Sequence, residues 1–260
     1  MDPITIVGIV GGFTAAIVAA MWEGTHLEAL FEPSALFLIL MGTGCATMAC
    51  FSLDELKELF SSARMALKKP NFNLVQLCEV LGDMASKARR DGLLVLESYP
   101  IEMDSPLLKR GIQLIVDGTD PALVKDLLLT EVATREARLK GQGSIFSTAG
   151  GFAPTLGIIG TVIGLVHVLG NLSEPDKLGP AIAVAFIATL YGIAFANLLF
   201  LPLGKKMTFV AKQDAEMSIA IVEGVLSIQA GENPRVVQEK IRSFMKEEEW
   251  REIAAKLEAK

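Results

Sequence analysis

The chain alternates between long apolar stretches and segments rich in charge. Four stretches contain no Asp, Glu, Lys or Arg, and they cover residues 3–21, 33–51, 145–169 and 178–203. A helix needs about 20 apolar residues to cross the hydrocarbon core of a bilayer, and each stretch meets or approaches that length. The pattern therefore predicts an all-α integral membrane protein with four transmembrane helices.

The first apolar stretch is expected to be a retained transmembrane helix. Secretory signal peptides begin with a cationic segment and end at a small-residue cleavage site. Here the stretch follows Asp2, and no such site precedes a soluble domain. We therefore count this stretch among the four transmembrane helices.

The distribution of Lys and Arg predicts the orientation in the membrane. Cationic loops stay in the cytoplasm, and of the 24 Lys and Arg residues 13 lie in segment 52–143 and 10 in segment 204–260. We therefore expect both termini in the cytoplasm. The predicted domains are transmembrane helices 1 and 2 with a short outer connector (1–51), a cytoplasmic helical domain (52–143), transmembrane helices 3 and 4 (144–203) and a cytoplasmic helical tail (204–260).

Proline and glycine divide the two cytoplasmic segments into helices. Breaks are predicted at 69–71, 99–100 and 117–121 in the longer segment and at 231–234 in the tail. Nothing interrupts the helical pattern from 122 to 140. We therefore expect one long helix that continues into the third transmembrane stretch.

Composition and charge exclude several other classes of protein. A net charge of −6 provides no basic surface for the phosphates of a nucleic acid, and 51% apolar residues exclude a disordered chain. Cys45, Cys50 and Cys78 are an odd number without metal-ligand spacing. We interpret them as small core-filling thiols in a reduced or membrane setting, and we expect neither a disulfide framework nor a zinc site.

The apolar stretches offer almost no charge to an ion. Ionisable side chains at bilayer depth are costly and usually functional, and His167 is the only His, Asp, Glu, Lys or Arg in the four stretches. A histidine near the outer end of a span is more often structural or interfacial than a proton relay. If the protein conducts cations, a partner must therefore supply a carboxylate.

Small residues and prolines mark the third and fourth stretches. Gly157, Gly160 and Gly164 allow close helix approach, and the last two have small-xxx-small spacing; packing within the chain accounts for most of this pattern. Pro154 and Pro202 each remove a backbone donor and can bend a helix. The bends are either static kinks or hinges that couple a pore to the cytoplasmic segments.

Two hydroxyls are predicted near the middle of the bilayer. Thr161 is eight residues from the outer end of its stretch and Thr189 is eleven residues from the outer end of the next. At a rise of about 1.5 Å per residue, their depths differ by less than one turn. Two roles stay open, because a threonine in a membrane helix either lines a pore or bonds a preceding carbonyl of its own helix.

Several segments in order carry a resemblance to a known family. These are the glycine-rich segment 153–166, the segments 178–186 and 188–192, the tail segments 224–229 and 233–234, and the charged segment 88–97 with Arg89, Arg90 and Glu97. Spacing alone would make those charges a solvated face. Together the segments resemble the MotA/PomA family, the A subunits of bacterial flagellar motor stators, over nearly the whole chain.

The resemblance implies roles for individual residues. Pro154 and Pro202 match the two prolines thought to couple ion passage to cytoplasmic motion. Thr189 matches the threonine that faces the ion-carrying aspartate of the partner. Arg89, Arg90 and Glu97 match, or lie beside, the charges that meet the rotor protein FliG.

The resemblance also implies an assembly. Five A subunits would surround two B subunits (MotB/PomB), whose aspartate carries the ion across the bacterial inner membrane, so that ion flow produces torque without enzyme chemistry or a cofactor. Membrane lipid would surround the assembly. Na⁺ is favoured over H⁺, because Thr161 stands where many proton-type stators have Ala and hydroxyls are hard donors that suit Na⁺.

Two alternatives remain open at this point. An ExbB/TolQ-type motor subunit, which energises outer-membrane processes, would have three spans and a differently placed cytoplasmic region. A secondary transporter would usually carry its own polar site at the midplane and repeated halves, and neither is visible in this sequence.

Overall fold

The protein is helical throughout the part of the chain that the structure describes. The computed structural model describes residues 3–25, 27–58, 73–100, 103, 105–170, 175–248, 250, 251 and 253. No β-strand occurs among these residues, which confirms the predicted all-α class. The predicted break at 69–71 lies outside them.

The helices follow the predicted pattern closely. They are α1 (Pro3–Trp22), α2 (Pro33–Met48), α3 (Leu74–Asp91), α4 (Pro106–Val116), α5 (Pro121–Gly170), α6 (Pro175–Ala194), α7 (Leu201–Gln229) and α8 (Pro234–Arg242). Short 3₁₀ turns occupy Leu27–Leu30 and Leu93–Ser98, and a π-helical turn, Phe195–Phe200, joins α6 to α7. The 50 residues of α5 confirm the expected long helix.

Local sequence signals explain where the helices begin and end. The side chains of Glu32, Ser105 and Asn233 accept hydrogen bonds from backbone N–H groups in the first turns of α2, α4 and α8, and a proline follows each of them. In each case the proline occupies the first turn of the helix, where its missing N–H costs no helical hydrogen bond. Glycines with φ values of 73° and 68°, Gly118 and Gly231, occupy the turns that follow α4 and α7; only glycine adopts such values without strain.

Within the described residues, four helices are long and apolar enough to cross a membrane, which confirms the predicted spans. They are Pro3–Trp22, Leu27–Met48, Pro121–Gly170 and Leu178–Gln229, the last two extending beyond the bilayer. In α1 no residue is buried, and exposed isoleucine and valine side chains cover α5 between 158 and 166. In water such a surface would be unfavourable, so lipid or other subunits must cover it.

The chain divides into two compact units. The first comprises residues 1–69 and 139–210 and contains the transmembrane stretches. Its small core centres on Ile39, Ala153 and Ala196. The predicted domain boundaries at 51, 143 and 203 stay a prediction.

The second unit, residues 70–138 and 211–260, has a hydrophobic core of its own. Large apolar side chains from α3, α4, α5, α7 and α8 are fully buried there, among them Leu81, Leu108, Leu128 and Ile228. A side chain on Gly111 would meet Val225 at 3.0 Å, so α4 and α7 pack closely. The unit therefore has the interior of an ordinary soluble helical domain.

Several charges at the surface of the second unit form ion pairs. Arg135 contacts Asp214 at 2.8 Å, and Lys240 contacts Glu232 at 2.8 Å while it donates to Ser227. Burial raises the pKa of Asp214 although Arg135 opposes the change, whereas the hydrogen bond from Lys240 lowers the pKa of Glu232. Such partly exposed pairs stabilise a fold by about 1 kcal/mol or less.

The three cysteines are free thiols in the structure. Cys78 is buried in the core of the second unit, and burial raises the pKa of its thiol to about 11. Cys45 and Cys50 lie instead on the exposed apolar surface of the first unit. The core-filling interpretation is therefore right for Cys78 and wrong for the other two, because Cys45 and Cys50 lie on a face that the described residues leave exposed, whereas Thr43 and Thr47 on α2 are buried.

Candidate functional site

The two predicted threonines are in contact within the first unit. The Thr161 hydroxyl on α5 lies 3.1 Å from the Gly157 carbonyl and 3.0 Å from the Ala185 carbonyl, and the Thr189 hydroxyl on α6 lies 3.2 Å from the Gly157 carbonyl. The two hydroxyls also contact each other. Four oxygens from two helices therefore converge, which is consistent with the predicted similar depth of the two residues.

The two hydroxyls have more acceptor oxygens within hydrogen-bond distance than protons to donate. Each threonine hydroxyl carries one proton, so Thr161 donates to one neighbour at a time, and the local bond to Gly157 competes with the interhelical bond to Ala185. Both residues are half-buried. The cluster is thus a neutral set of hard oxygen donors, chemistry that suits Na⁺ better than soft metals.

Small residues bring α5 and α6 close enough for this contact. A side-chain carbon at Gly157 would lie 3.0 Å from the Ala188 carbonyl oxygen, and one at Gly164 would lie 3.0 Å from the Ala185 Cα. On α6, one at Gly192 would lie 3.1 Å from the Gly157 Cα. The predicted packing role of the glycines is therefore observed: glycines on α5 meet glycine and alanine on α6, so the two backbones come close together.

Close approach continues below the threonines, toward the prolines. A side-chain carbon at Gly150, one turn before Pro154, would lie 2.7 Å from Leu201, the residue before Pro202. At Gly143 such a carbon would lie 3.1 Å from the Gly204 carbonyl oxygen. Before Pro154, α5 therefore packs against the Leu201 side chain, and at Gly143 it packs against the backbone of Gly204.

A π-helical turn precedes Pro202, and sequence analysis did not predict it. The Leu201 N–H donates to the Ala196 carbonyl, five residues earlier, and the Asn197 side chain donates to the Ile193 carbonyl. The ring of a proline clashes with the carbonyl four residues before it, here that of Leu198, and a wider turn removes this clash. Pro202 itself was the signal that could have indicated the irregularity.

Tyr191 makes a second contact that sequence analysis missed. Its hydroxyl donates to the Leu30 carbonyl and accepts from the Glu32 N–H at 3.2 Å. These two backbone groups precede α2, so the tyrosine ties the beginning of α2 to α6. The available signal was a tyrosine in the middle of an apolar stretch, because the O–H group of a buried tyrosine usually finds a hydrogen-bond partner.

Two further hydroxyls are buried on α2. Thr43 and Thr47 are almost inaccessible to solvent, and their hydroxyls have no hydrogen-bond partner among the described residues. Sequence analysis did not select them. His167, in contrast, is exposed in the last turn of α5, consistent with its predicted position near the end of a span.

The charged candidates lie in the second unit, whereas Thr161 and Thr189 lie in the first. Arg89 and Arg90 are in the last turn of α3, which ends at Gly92 with a φ of 84°, and Glu97 is in the 3₁₀ turn that follows. All three charges are exposed and make no ion pair within the described part of the chain, while Leu96 is buried and anchors the turn.

Comparison with known proteins identifies the family. The model of the MotA/TolQ/ExbB proton channel family matches residues 101–219. Motility protein A of Borreliella burgdorferi is 34% identical over 94% of both chains, and the chemotaxis protein PomA of Vibrio alginolyticus is 33% identical over 95% of this chain and 96% of its own. The chain belongs to this family.

Solved structures of the family share the fold along almost the whole chain. The flagellar MotAB stator complex of Bacillus subtilis matches with a TM-score of 0.90 and 33% identity, covering 96% of this chain and 98% of the other. C. jejuni MotAB matches with a TM-score of 0.90 and 29% identity over 95% and 97%. The resemblance inferred from the sequence segments is thereby confirmed.

We predict that Gly157→Ala lowers the thermal midpoint of the full chain in detergent and separates the two threonines. The new methyl group must displace the backbone of α6 at Ala188 and Thr189, and overpacking of this kind costs about 1–3 kcal/mol. Gly151→Ala is the matched control, because a side chain at Gly151 meets nothing within 4 Å. Equal midpoints for the two variants would contradict the close approach at Gly157.

Proposed function

We propose that this chain is the A subunit of a bacterial flagellar stator, which conducts ions across the inner membrane with a B-type subunit and converts the flow into torque. The observation that carries the proposal is the match of nearly the whole chain to solved MotAB stator structures. The ExbB/TolQ-type alternative is less favoured, because motility proteins match along almost the whole chain.

The chemistry of the first unit supports the need for a partner. The four apolar stretches contain no carboxylate, and an uncompensated cation at bilayer depth is costly. A MotB/PomB-type subunit with an intramembrane Asp would supply the missing charge. The exposed apolar side chains of α5 fit a homopentamer around a partner dimer, an arrangement in which neighbours cover them.

We predict that the chain alone does not conduct. Vesicles that contain only the full chain should show no H⁺ or Na⁺ flux under a membrane potential, because no charged ligand stabilises the ion within the bilayer. Vesicles that contain the chain co-purified with its B-type partner should show flux. Equal flux without the partner would overturn the proposed division of labour.

We further propose that Thr161 and Thr189 line the ion pathway, with Na⁺ as the preferred ion. Four converging oxygens support this assignment, because Na⁺ must exchange its water for several hard ligands, whereas H⁺ needs only the carboxylate of the partner. The ion is the transported substrate; we propose no bound cofactor and no enzyme activity.

We predict that Thr161→Ala weakens the dependence of swimming speed on external Na⁺ at fixed pH. The substitution removes one of the four oxygens but leaves the glycine contacts intact. Thr155→Ala on the same helix is the control, because the exposed Thr155 hydroxyl donates only to the carbonyl of Phe152 in its own helix. If the swimming speed of the native strain does not depend on external Na⁺, H⁺ is the transported ion instead.

Pro154 and Pro202 are proposed to couple ion passage to motion of the cytoplasmic domains. The π turn before Pro202 supports this role, since such turns frequently occur at functional sites. A local change there could pass along α7, which contributes residues to both compact units.

We predict that Pro202→Ala reduces torque at high load without lowering the thermal midpoint. Alanine restores the missing donor and favours a regular helix, so any loss of torque must come from the altered turn. Pro180→Ala is the control, because Pro180 also lies inside a helix, α6, but outside the π turn. Unchanged torque would remove the hinge interpretation.

Arg89, Arg90 and Glu97 are proposed to contact the rotor protein FliG from the cytoplasm, where both termini would also lie. Their exposure supports this role, because exposed charges contribute little to folding but can steer a charged partner.

We predict that Arg89→Glu impairs motility while the protein still accumulates in the membrane. Arg235→Glu provides a matched control, since Arg235 is likewise exposed in the second unit. Reversal of an opposite charge on the rotor should restore motility to Arg89→Glu. Loss of the protein from the membrane would instead show that Arg89 is structural.

A further inference from the structure

An apolar groove opens between α1 and the junction of the π turn with α7. It encloses about 530 Å³ and lies entirely within the first unit. Ile4 and Ile9 line one side, and Leu198 and Phe209 line the other. The groove therefore runs along helices that are long and apolar enough to cross a membrane.

Two lysines, Lys205 and Lys206, also line this groove, between Pro202 and Phe209 on α7. Lys205 and Lys206 follow immediately after the charge-free stretch 178–203, which places them at the depth where apolar chain gives way to headgroups. Lys205 is exposed, and the Lys206 ammonium lies 5.8 Å from the centre of the Phe209 ring. The groove thus combines an apolar wall with two cations that lie just past the charge-free stretch.

We propose that this groove binds an anionic phospholipid of the surrounding bilayer. One acyl chain lies along the apolar wall, and the phosphate contacts the ammonium groups of Lys205 and Lys206. Basic pockets between transmembrane helices recognise anionic headgroups in this way, and long lysine side chains extend toward the membrane surface. A zwitterionic lipid offers the same chain but no net charge, so it binds less well.

Gly8 makes room for the acyl chain. It lies in α1 beside the groove, and a side-chain carbon there would meet nothing within 4 Å. A larger residue at this position would therefore fill the groove without disturbing the packing of the chain. Pro202 also lines the groove, so the bound lipid would touch the helix next to the π turn.

The test measures lipid retention by the purified full chain. The chain is exchanged into nanodiscs that contain equal amounts of phosphatidylglycerol and phosphatidylcholine, and native mass spectrometry counts the lipids that stay bound after release. We expect the native chain to retain phosphatidylglycerol preferentially. The double variant K205Q/K206Q should lose that preference by about tenfold or more, because each lysine near a membrane surface favours an anionic lipid several-fold.

Charge-matched and volume-matched variants separate the possible causes. K109Q/K125Q removes two exposed lysines from the second unit and should leave the preference unchanged. Gly8→Leu should lower retention at an unchanged thermal midpoint, whereas Gly11→Leu should not; Gly11 also faces open space but does not line the groove.

Two results would overturn the inference. One is equal phosphatidylglycerol retention by the native chain and K205Q/K206Q. The other is a change of oligomer mass in Gly8→Leu with unchanged lipid retention, which would assign the groove to contact with another protein chain. The readout involves neither ion flux nor torque, so its failure is distinguishable from a failure of the proposed function.

Discussion

The backbone contact between α5 and α6 is the constraint on which the candidate site depends. Within a bilayer the hydrophobic effect does not drive helices together, so close packing of small residues must do so. Gly157 meets the backbone of α6 directly, and Gly164 meets the small side chain and backbone of Ala185. That separation is what allows hydroxyls on two different helices, Thr161 and Thr189, to touch.

The same helix pair contains the irregular backbone. Beyond Gly157 toward the second unit, Pro154 interrupts the hydrogen-bond pattern of α5, and Pro202 follows the π turn. Backbone groups freed within a membrane need partners, and the widened turn supplies one, since Leu201 donates to Ala196. The contact between the two threonines and the π turn thus lie close together along the chain.

The two units differ in their cores and in the surfaces that they expose. The first has a small core and large exposed apolar surfaces, which require lipid or other subunits. The second has a core of its own, and its charges at Arg89 and Glu97 lie in solvent. Neutral oxygens in one unit and exposed charges in the other suit an ion path and a protein contact, respectively.

The sequence by itself determined the features that depend on neighbouring residues. Hydropathy determined the four spans, and Pro and Gly determined the helix ends, such as the turn at Gly118, because burial in lipid and backbone geometry act locally. The depths of Thr161 and Thr189 followed from counting residues along a helix. The long helix α5 followed from the absence of any breaker before residue 140.

Only the tertiary structure decided which faces meet. The contact of Thr161 with Ala185 and Thr189 depends on the rotation of α5 against α6, and residue spacing cannot specify it. The bond from Tyr191 to Leu30 joins positions 161 residues apart. A helix can accommodate a proline such as Pro202 either by a kink or by a wider π turn. Which of the two forms depends on the packing of neighbouring helices.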